Sequence, residues 1–475
     1  MALIHDGQFK GLADSKWSGI AGSFAVSVGV DGHKTPGTMT VHQKLVKDSG
    51  TTVTALCRVR ISTSVGTTLW FSYTDGKIWS RTTAGVWTLV STTVPTSGNA
   101  GCLGGEEYNG YIYWATQSFL HRIPIGATID TAAYWTANKV WNWATFTKTD
   151  TEFHPMQKQS NQLFIGDGNQ VAKVNSAGTF TANALDILTP LRIKTITDFD
   201  IDIVLGTIIT TTVNECQVLR WDTVSTSWTA SDPIPENGIN AFIHDDNYLY
   251  AQAGQFGNIY FYNGEQLVSY KRIPGNWSPS SYGEVYPQAV SNLLGRPVFG
   301  LSNGSGNPAL QGVYTFGSYS KDYPKVLDLS YPISNSATMQ TLEIGAVLAV
   351  GADLFVAWKD SDTYGVDKLD WSNKYASAYL ETMTLFQDKR DVLKVLGKVS
   401  AFYSSLPANT GITFSYSLNG GSYVEMTSIT NSLKNEVYAD LSVSDIGSLQ
   451  IKIELTVSSN SAPVIEALGI YMAKI

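Results

Sequence analysis

Leu163-Phe-Ile-Gly-Asp-Gly-Asn-Gln-Val-Ala-Lys-Val174 holds two short apolar runs on either side of Asp167-Gly168. A two-residue hairpin turn needs left-handed backbone, which Gly adopts freely and Asp tolerates. The stretch therefore reads as two antiparallel strands joined by a tight turn. The same arrangement recurs in both directions along the chain. Upstream lie Leu69-Trp-Phe-Ser-Tyr-Thr-Asp-Gly-Lys-Ile-Trp79 and Tyr111-Ile-Tyr-Trp-Ala-Thr-Gln-Ser-Phe-Leu-His-Arg-Ile123. Downstream, Ile203-Val-Leu-Gly-Thr207 leads to Cys216-Gln-Val-Leu-Arg-Trp221, and Tyr248-Leu-Tyr-Ala-Gln-Ala253 to Asn258-Ile-Tyr-Phe-Tyr262. Val298-Phe-Gly-Leu301 then reaches Gly312-Val-Tyr-Thr-Phe316, and Leu354-Phe-Val-Ala-Trp358 returns at Tyr364-Gly-Val-Asp-Lys-Leu369.

These copies start roughly 40 to 55 residues apart, the period of a four-stranded propeller blade. The fold class expected is all-β: a β-propeller of about seven blades followed by a small C-terminal β-sandwich. The aligned pairs would be the middle two strands of each blade. A small residue (Ser72, Ala115, Gly166, Gly206, Ala251, Gly300, Ala357) sits near the end of each first strand, where crowded blade edges would favour it. Few segments have a sustained helical period; the stretch around Ser281 to Leu294 has room for a short helix.

Three regions follow. Residues 1–54 are Gly-rich and read as an arm that completes the propeller or docks elsewhere; 55–385 are the propeller; 386–475 are the sandwich. In the last region Leu449, Ile451, Ile453, Leu455 and Val457 alternate with Gln, Lys and Glu, the clearest one-sided strand in the chain. Such strands need a second sheet to cover them.

Composition narrows the function. Charged residues make up 15% of the 475, against about 25% typically, so Ser, Thr, Asn, Gln and Gly must supply the polar surface. The net charge is −8 and no basic run tracks a phosphate backbone, which argues against specific nucleic-acid binding. Cys57, Cys102 and Cys216 are far apart, show no CxxC, and read as buried thiols. Neither a secretory leader nor a stretch of about 18 apolar residues is visible, so synthesis in the cytoplasm without membrane insertion is expected.

No motif survives as a catalytic one. Ser72, Gly76 and Trp79 nearly reproduce an Asp-box turn, but Asp75 falls one place late, and such boxes lock hairpins rather than cleave bonds. Glu106-Glu107 and Asp245-Asp246 are adjacent carboxylates, whereas a glycosidase pair must face one cleft about 5 to 9.5 Å apart. Neighbours on a strand point to opposite faces, so both doublets read as solvated turn charges before strands. His5, His33, His42, His121, His154 and His244 show no metal-ligand spacing, so no metal or cofactor is expected. Ser302-Asn-Gly-Ser-Gly-Asn-Pro308 has no following helix to hold a phosphate and reads as a loop. Trp135, Trp141, Trp143 and Trp277 stand outside the hairpins. They suit packing between blades, with interface contact or glycan stacking as the alternative.

The Gly-rich opening with Val30-Asp-Gly-His-Lys-Thr-Pro-Gly37, the irregular blades and the closing Ala462-Pro-Val-Ile-Glu-Ala-Leu-Gly-Ile470 resemble virion proteins of tailed bacteriophages. In particular the chain is similar to propeller-bearing tail proteins, including the nozzle-type proteins of short-tailed phages; Gly300-Leu-Ser-Asn-Gly-Ser-Gly-Asn-Pro308 and Tyr364-Gly-Val-Asp-Lys-Leu-Asp-Trp-Ser-Asn373 add to the likeness. The resemblance implies a non-enzymatic structural component of the virion tail, assembled in the host cytoplasm. Its partners would be copies of itself and other tail proteins, near the surface that meets a host glycan or receptor. The alternatives are a glycan-binding or glycan-cleaving propeller of sialidase type and a cytosolic interaction scaffold.

Overall fold

Every hairpin read from the sequence forms the middle of a four-stranded antiparallel meander in the computed structural model. The structure describes residues 2–5, 9–14, 22–32, 35, 37–48, 53–63, 68–92, 101–125, 132–142, 153–210, 212–246, 248–303, 311–317, 325–335, 341–385, 394–430, 436–443 and 448–474. Trp143 and loop residues 304–308 lie outside these.

The first sheet runs Cys57–Ser62, Thr68–Tyr73, Ile78–Thr82, Trp87–Ser91. The second runs Gly104–Tyr108, Tyr111–Ala115, Phe119–Pro124, Lys139–Asn142, and the third Met156–Gln159, Gln162–Asp167, Gln170–Asn175, Phe180–Asp186. The fourth holds Arg192–Phe199, Asp202–Ile208, Cys216–Trp221 and Ala230–Ile234; the fifth holds Ile239–Asp245, Tyr248–Ala253, Asn258–Tyr262 and Leu267–Arg272. First strands of successive sheets lie side by side around an axis. The chain is a β-propeller.

The last two hairpins differ in one respect. Val290–Leu293, Arg296–Asn303, Gly312–Gly317 and Val326–Tyr331 form one meander, and Leu342–Val350, Asp353–Asp360 and Thr363–Lys374 with Gln43–Lys47 form the other. Asn303 pairs with Leu342, which fuses both into one sheet. The expectation of about seven separate blades is thereby corrected to six hydrogen-bonded sheets around the axis, five simple and one composite. The N-terminal strand Gln43–Lys47 supplies the outer edge of the last meander, and Leu342–Val350 packs back on Cys57–Ser62 to close the ring.

The composite sheet does not stop there. Phe24–Val28 pairs in parallel with Val326–Tyr331 and antiparallel with Ser377–Thr382, leading on to Leu449–Thr456, Gly411–Leu418 and Val424–Ile429. A separate sheet of Ala2–His5, Ile465–Lys474, Lys394–Tyr403 and Glu436–Val443 shares its core. Leu449, Ile451, Ile453 and Leu455 are fully buried there against Val399, Ala401, Ile465 and Leu468, as their period-2 spacing demands. The described strands within residues 386–475 thus sit in two sheets, both of which also take strands from the first thirty residues.

Two local expectations fail. No helix forms around Ser281 to Leu294; Gly283–Glu284 and Val290–Leu293 both pair with Arg296–Asn303. Val285, Ala289 and Leu293 are four apart and all buried, as in a helix, but Pro287 between them cannot donate a helical hydrogen bond. Glu106 and Glu107 lie inside the strand Gly104–Tyr108 rather than in a turn before it. The small residues behave as their crowding predicts. A Cβ on Gly166 would meet Ile193 at 2.8 Å, and one on Gly206 would meet Ile239 at 2.7 Å, each on the next sheet's first strand.

One side chain ties the arm to the ring. The partly buried Tyr375 hydroxyl accepts from the Leu45 amide at 3.1 Å and donates to the Pro332 carbonyl at 2.5 Å. Tyr375→Phe removes both bonds while keeping the ring's volume. A loss of about 1 to 3 kcal/mol is expected in urea unfolding, since two buried backbone groups lose their partner. An unchanged midpoint would show that the edge strand holds without it.

Candidate functional site at the central channel

A propeller brings residues far apart in sequence to one place, the axis where the first strands meet. In Cys57–Ser62, Cys57, Val59 and Ile61 are buried between sheets, which leaves Arg58, Arg60 and Ser62 on the opposite side. Arg60 and Glu106 line a cavity of about 280 Å³ with Gln157, Thr197, His244 and Ser291, one residue from each of six first strands. It is a polar concavity on the axis.

Its charges are largely committed. Arg60 donates from Nε to the Val347 carbonyl at 2.9 Å and from Nη2 to the Val290 carbonyl at 2.8 Å, bridging the first strand to both last meanders. Glu106 pairs with Lys158 at 3.0 Å and accepts from the Glu107 amide at 3.1 Å. Gln157 donates to Asp198 at 3.0 Å, and Thr197 Oγ1 lies 2.6 Å from His244 Nε2. Asp198 stands 4.0 Å from the same nitrogen. Burial pushes His244 below the usual histidine value, and the Asp198 charge pulls it part of the way back. Asp198 acts on Nε2, the atom already facing Thr197, so this trio lacks the carboxylate–Nδ1 relation that orients a hydrolytic base.

The opposite end of the first strands is also paired. Lys194 meets Glu284 at 2.5 Å and Asn240 at 2.6 Å, and the Asn240 amide donates in turn to Gln252 at 2.8 Å and to the Gly254 carbonyl at 2.7 Å. Among the described residues no group of three His, Cys, Asp or Glu side chains could hold a metal ion. What the channel can offer chemically is a rigid set of donors and acceptors with one titratable imidazole.

The tryptophans named from the sequence do not gather. Trp135, on the short helix Ala132–Ala137, is fully buried, packs edge-on against His121 at 5.0 Å and donates to Ser91 at 3.3 Å. Trp277 is partly buried and donates to the Ile273 carbonyl at 2.8 Å. Trp141 is 40% exposed on an outer strand, its ring 4.8 Å from Phe180. The channel residues were missed because only the middle hairpins were aligned, although two-residue turns such as Asn109-Gly110 and Ser160-Asn161 join first strands to second ones. The available signal was the alternation of Cys57-Arg-Val-Arg-Ile-Ser62, just upstream of the first hairpin.

No family model matches the sequence, and no curated protein matches it. Among solved structures, the WD40 repeats of RRP9 align with a TM-score of 0.47 at 9% identity, covering 69% of this chain and 98% of that one. The WD40 β-propeller domain of Doa1 gives 0.47 at 10%, covering 70% and 98%. A chain of the mitotic checkpoint complex gives 0.45 at 9%, covering 69% and 95%. At that level the likeness carries no argument about function. The propeller rests on this chain's own strand pairing.

Proposed function

We propose that this protein is a non-catalytic assembly platform, and that it serves as a structural component of a bacteriophage tail. The observation that carries the platform reading is the continuous sheet. Phe24–Val28 pairs along its length with Ser377–Thr382 and meets the propeller strand Val326–Tyr331 through the single pair Val28–Leu329. Beside that pair the Gly29 and Leu12 amides donate to the Leu329 and Leu327 carbonyls at 2.9 and 2.8 Å, so backbone hydrogen bonds join the two parts. A hinge between them would break those bonds, and rigid placement of two surfaces is what an assembly joint requires. Arg60 and Glu106, the strongest charges on the channel wall, are spent on internal contacts, which favours scaffold over catalyst. The tail assignment comes from the sequence resemblance.

Two measurements together test this. Mass photometry of the purified chain should show defined oligomers or co-assembly with tail proteins, and mass spectrometry of intact particles should detect it. A stable monomer, absent from particles and able to cleave polysaccharide, would overturn the proposal in favour of a glycan-active propeller.

A further inference from the structure

Where the last meander meets the first lies a second cavity of about 170 Å³, which shares no lining residue with the channel cavity just described. Its wall includes Arg58, Thr74, Glu343, Lys359 and Tyr364. Glu343 pairs with Lys359 at 3.1 Å and also accepts from the Tyr286 hydroxyl at 3.3 Å. Arg58 has no such match. Its Nε is closed to solvent without a hydrogen-bond partner, and no carboxylate of the described residues lies within ion-pairing distance.

A half-buried guanidinium with an unmet donor is costly unless something binds it. Two cations and one carboxylate leave a net charge of +1 at the wall. A ligand that cancels it carries one negative charge, and a guanidinium meets a carboxylate through two parallel N–H···O bonds. The volume accepts a carboxylate with a few attached atoms rather than a whole sugar or nucleotide. We propose that this seam pocket binds a single carboxylate, held by Arg58 and flanked by Lys359. The carboxylate belongs either to a free small acid or to an acidic side chain of a docked protein.

Saturation-transfer NMR on the full chain can read this with acetate as the free acid. End-blocked tripeptides with a central glutamate or glutamine test the side-chain source. Saturation should reach the acetate methyl protons in the native protein. The affinity should fall on the order of tenfold in Arg58→Gln, as loss of a charge-assisted contact implies. Arg58→Lys should retain part of it, and Lys173→Gln, a residue far along the ring, all of it. Binding of the glutamate peptide but not the glutamine one assigns a protein side chain; binding of acetate alone assigns a free acid. No transfer to either probe would overturn the proposal. So would equal binding by a folded Arg58→Gln chain with native melting, or displacement of acetate by inorganic phosphate at lower concentration.

Discussion

Gly345→Ala is expected to lower the stability of this protein by about 3 kcal/mol, the upper range for forced overpacking of a tight interior. Gly345 lies on Leu342–Val350, the first strand of the last meander, where that strand packs against the first sheet. A Cβ there would collide with the Cys57 carbonyl oxygen and come within 3.0 Å of the Leu56 side chain. A backbone carbonyl inside a strand cannot rotate aside, so the two meanders must part. Gly110→Ala provides the contrast: its Cβ would meet nothing, and only its φ of +80° resists a side chain. That substitution should cost about 1 kcal/mol. Urea unfolding of both variants compares the two effects, and equal midpoints would show that the ring does not close through this contact.

Asp328→Asn is expected to do the reverse above neutral pH. Asp328 lies on Val326–Tyr331, the strand that passes the propeller's sheet on to Phe24–Val28, and it is fully buried. Burial pushes its carboxyl up to about 8; the negative charge of Asp31 adds to the rise, and the hydrogen bond from the Ser330 hydroxyl opposes it. One carboxylate oxygen has no partner. In the unfolded chain the group ionises near pH 4, so between about pH 4 and 8 the unfolded state loses a proton that the native state keeps. Native stability is therefore fully present below pH 4 and declines as pH rises through 8. The asparagine carries no such penalty and retains the shape. It should match the native protein at pH 4 and exceed it by about 2 kcal/mol or more at pH 8. His42, which stands 3.8 Å from Asp31, titrates in both chains and cancels in the difference. A pH-independent gap between the two chains would mean that Asp328 is charged in the fold.

Both substitutions act at places that sequence patterns hardly mark. Asp167-Gly168 announces a hairpin because the turn's backbone needs are local, although the structure shifts the turn by one residue: Asp167 ends the strand opposite Gln170, and Gly168, at a φ of +61°, and Asn169 make the turn. Leu449 to Leu455 announce a one-sided strand for the same reason. By contrast, nothing near Glu106 says that it shares a cavity with His244, more than a hundred residues away. The doublet's alternation was legible, with Glu106 toward the channel and Glu107 buried, but its placement in a turn was not correct. Trp135, which lies between hairpins, reads as packing between blades with an interface role as the alternative, and it packs. A short helix, too brief to show a period, folds it against His121.

The amino-acid order by itself determined the strands, their turns, the repeat and hence the propeller, because these depend on side-chain alternation and on turn residues within a few positions. Only the tertiary structure decided how the ring closes. Pairing of Asn303 with Leu342 and of Phe24–Val28 with strands three hundred residues away depends on which free edges meet once the sheets have formed. Backbone hydrogen bonds look alike at every edge, so local sequence carries almost no record of the partner. The same holds for the two cavities, whose residues become neighbours only when the first strands converge on one axis.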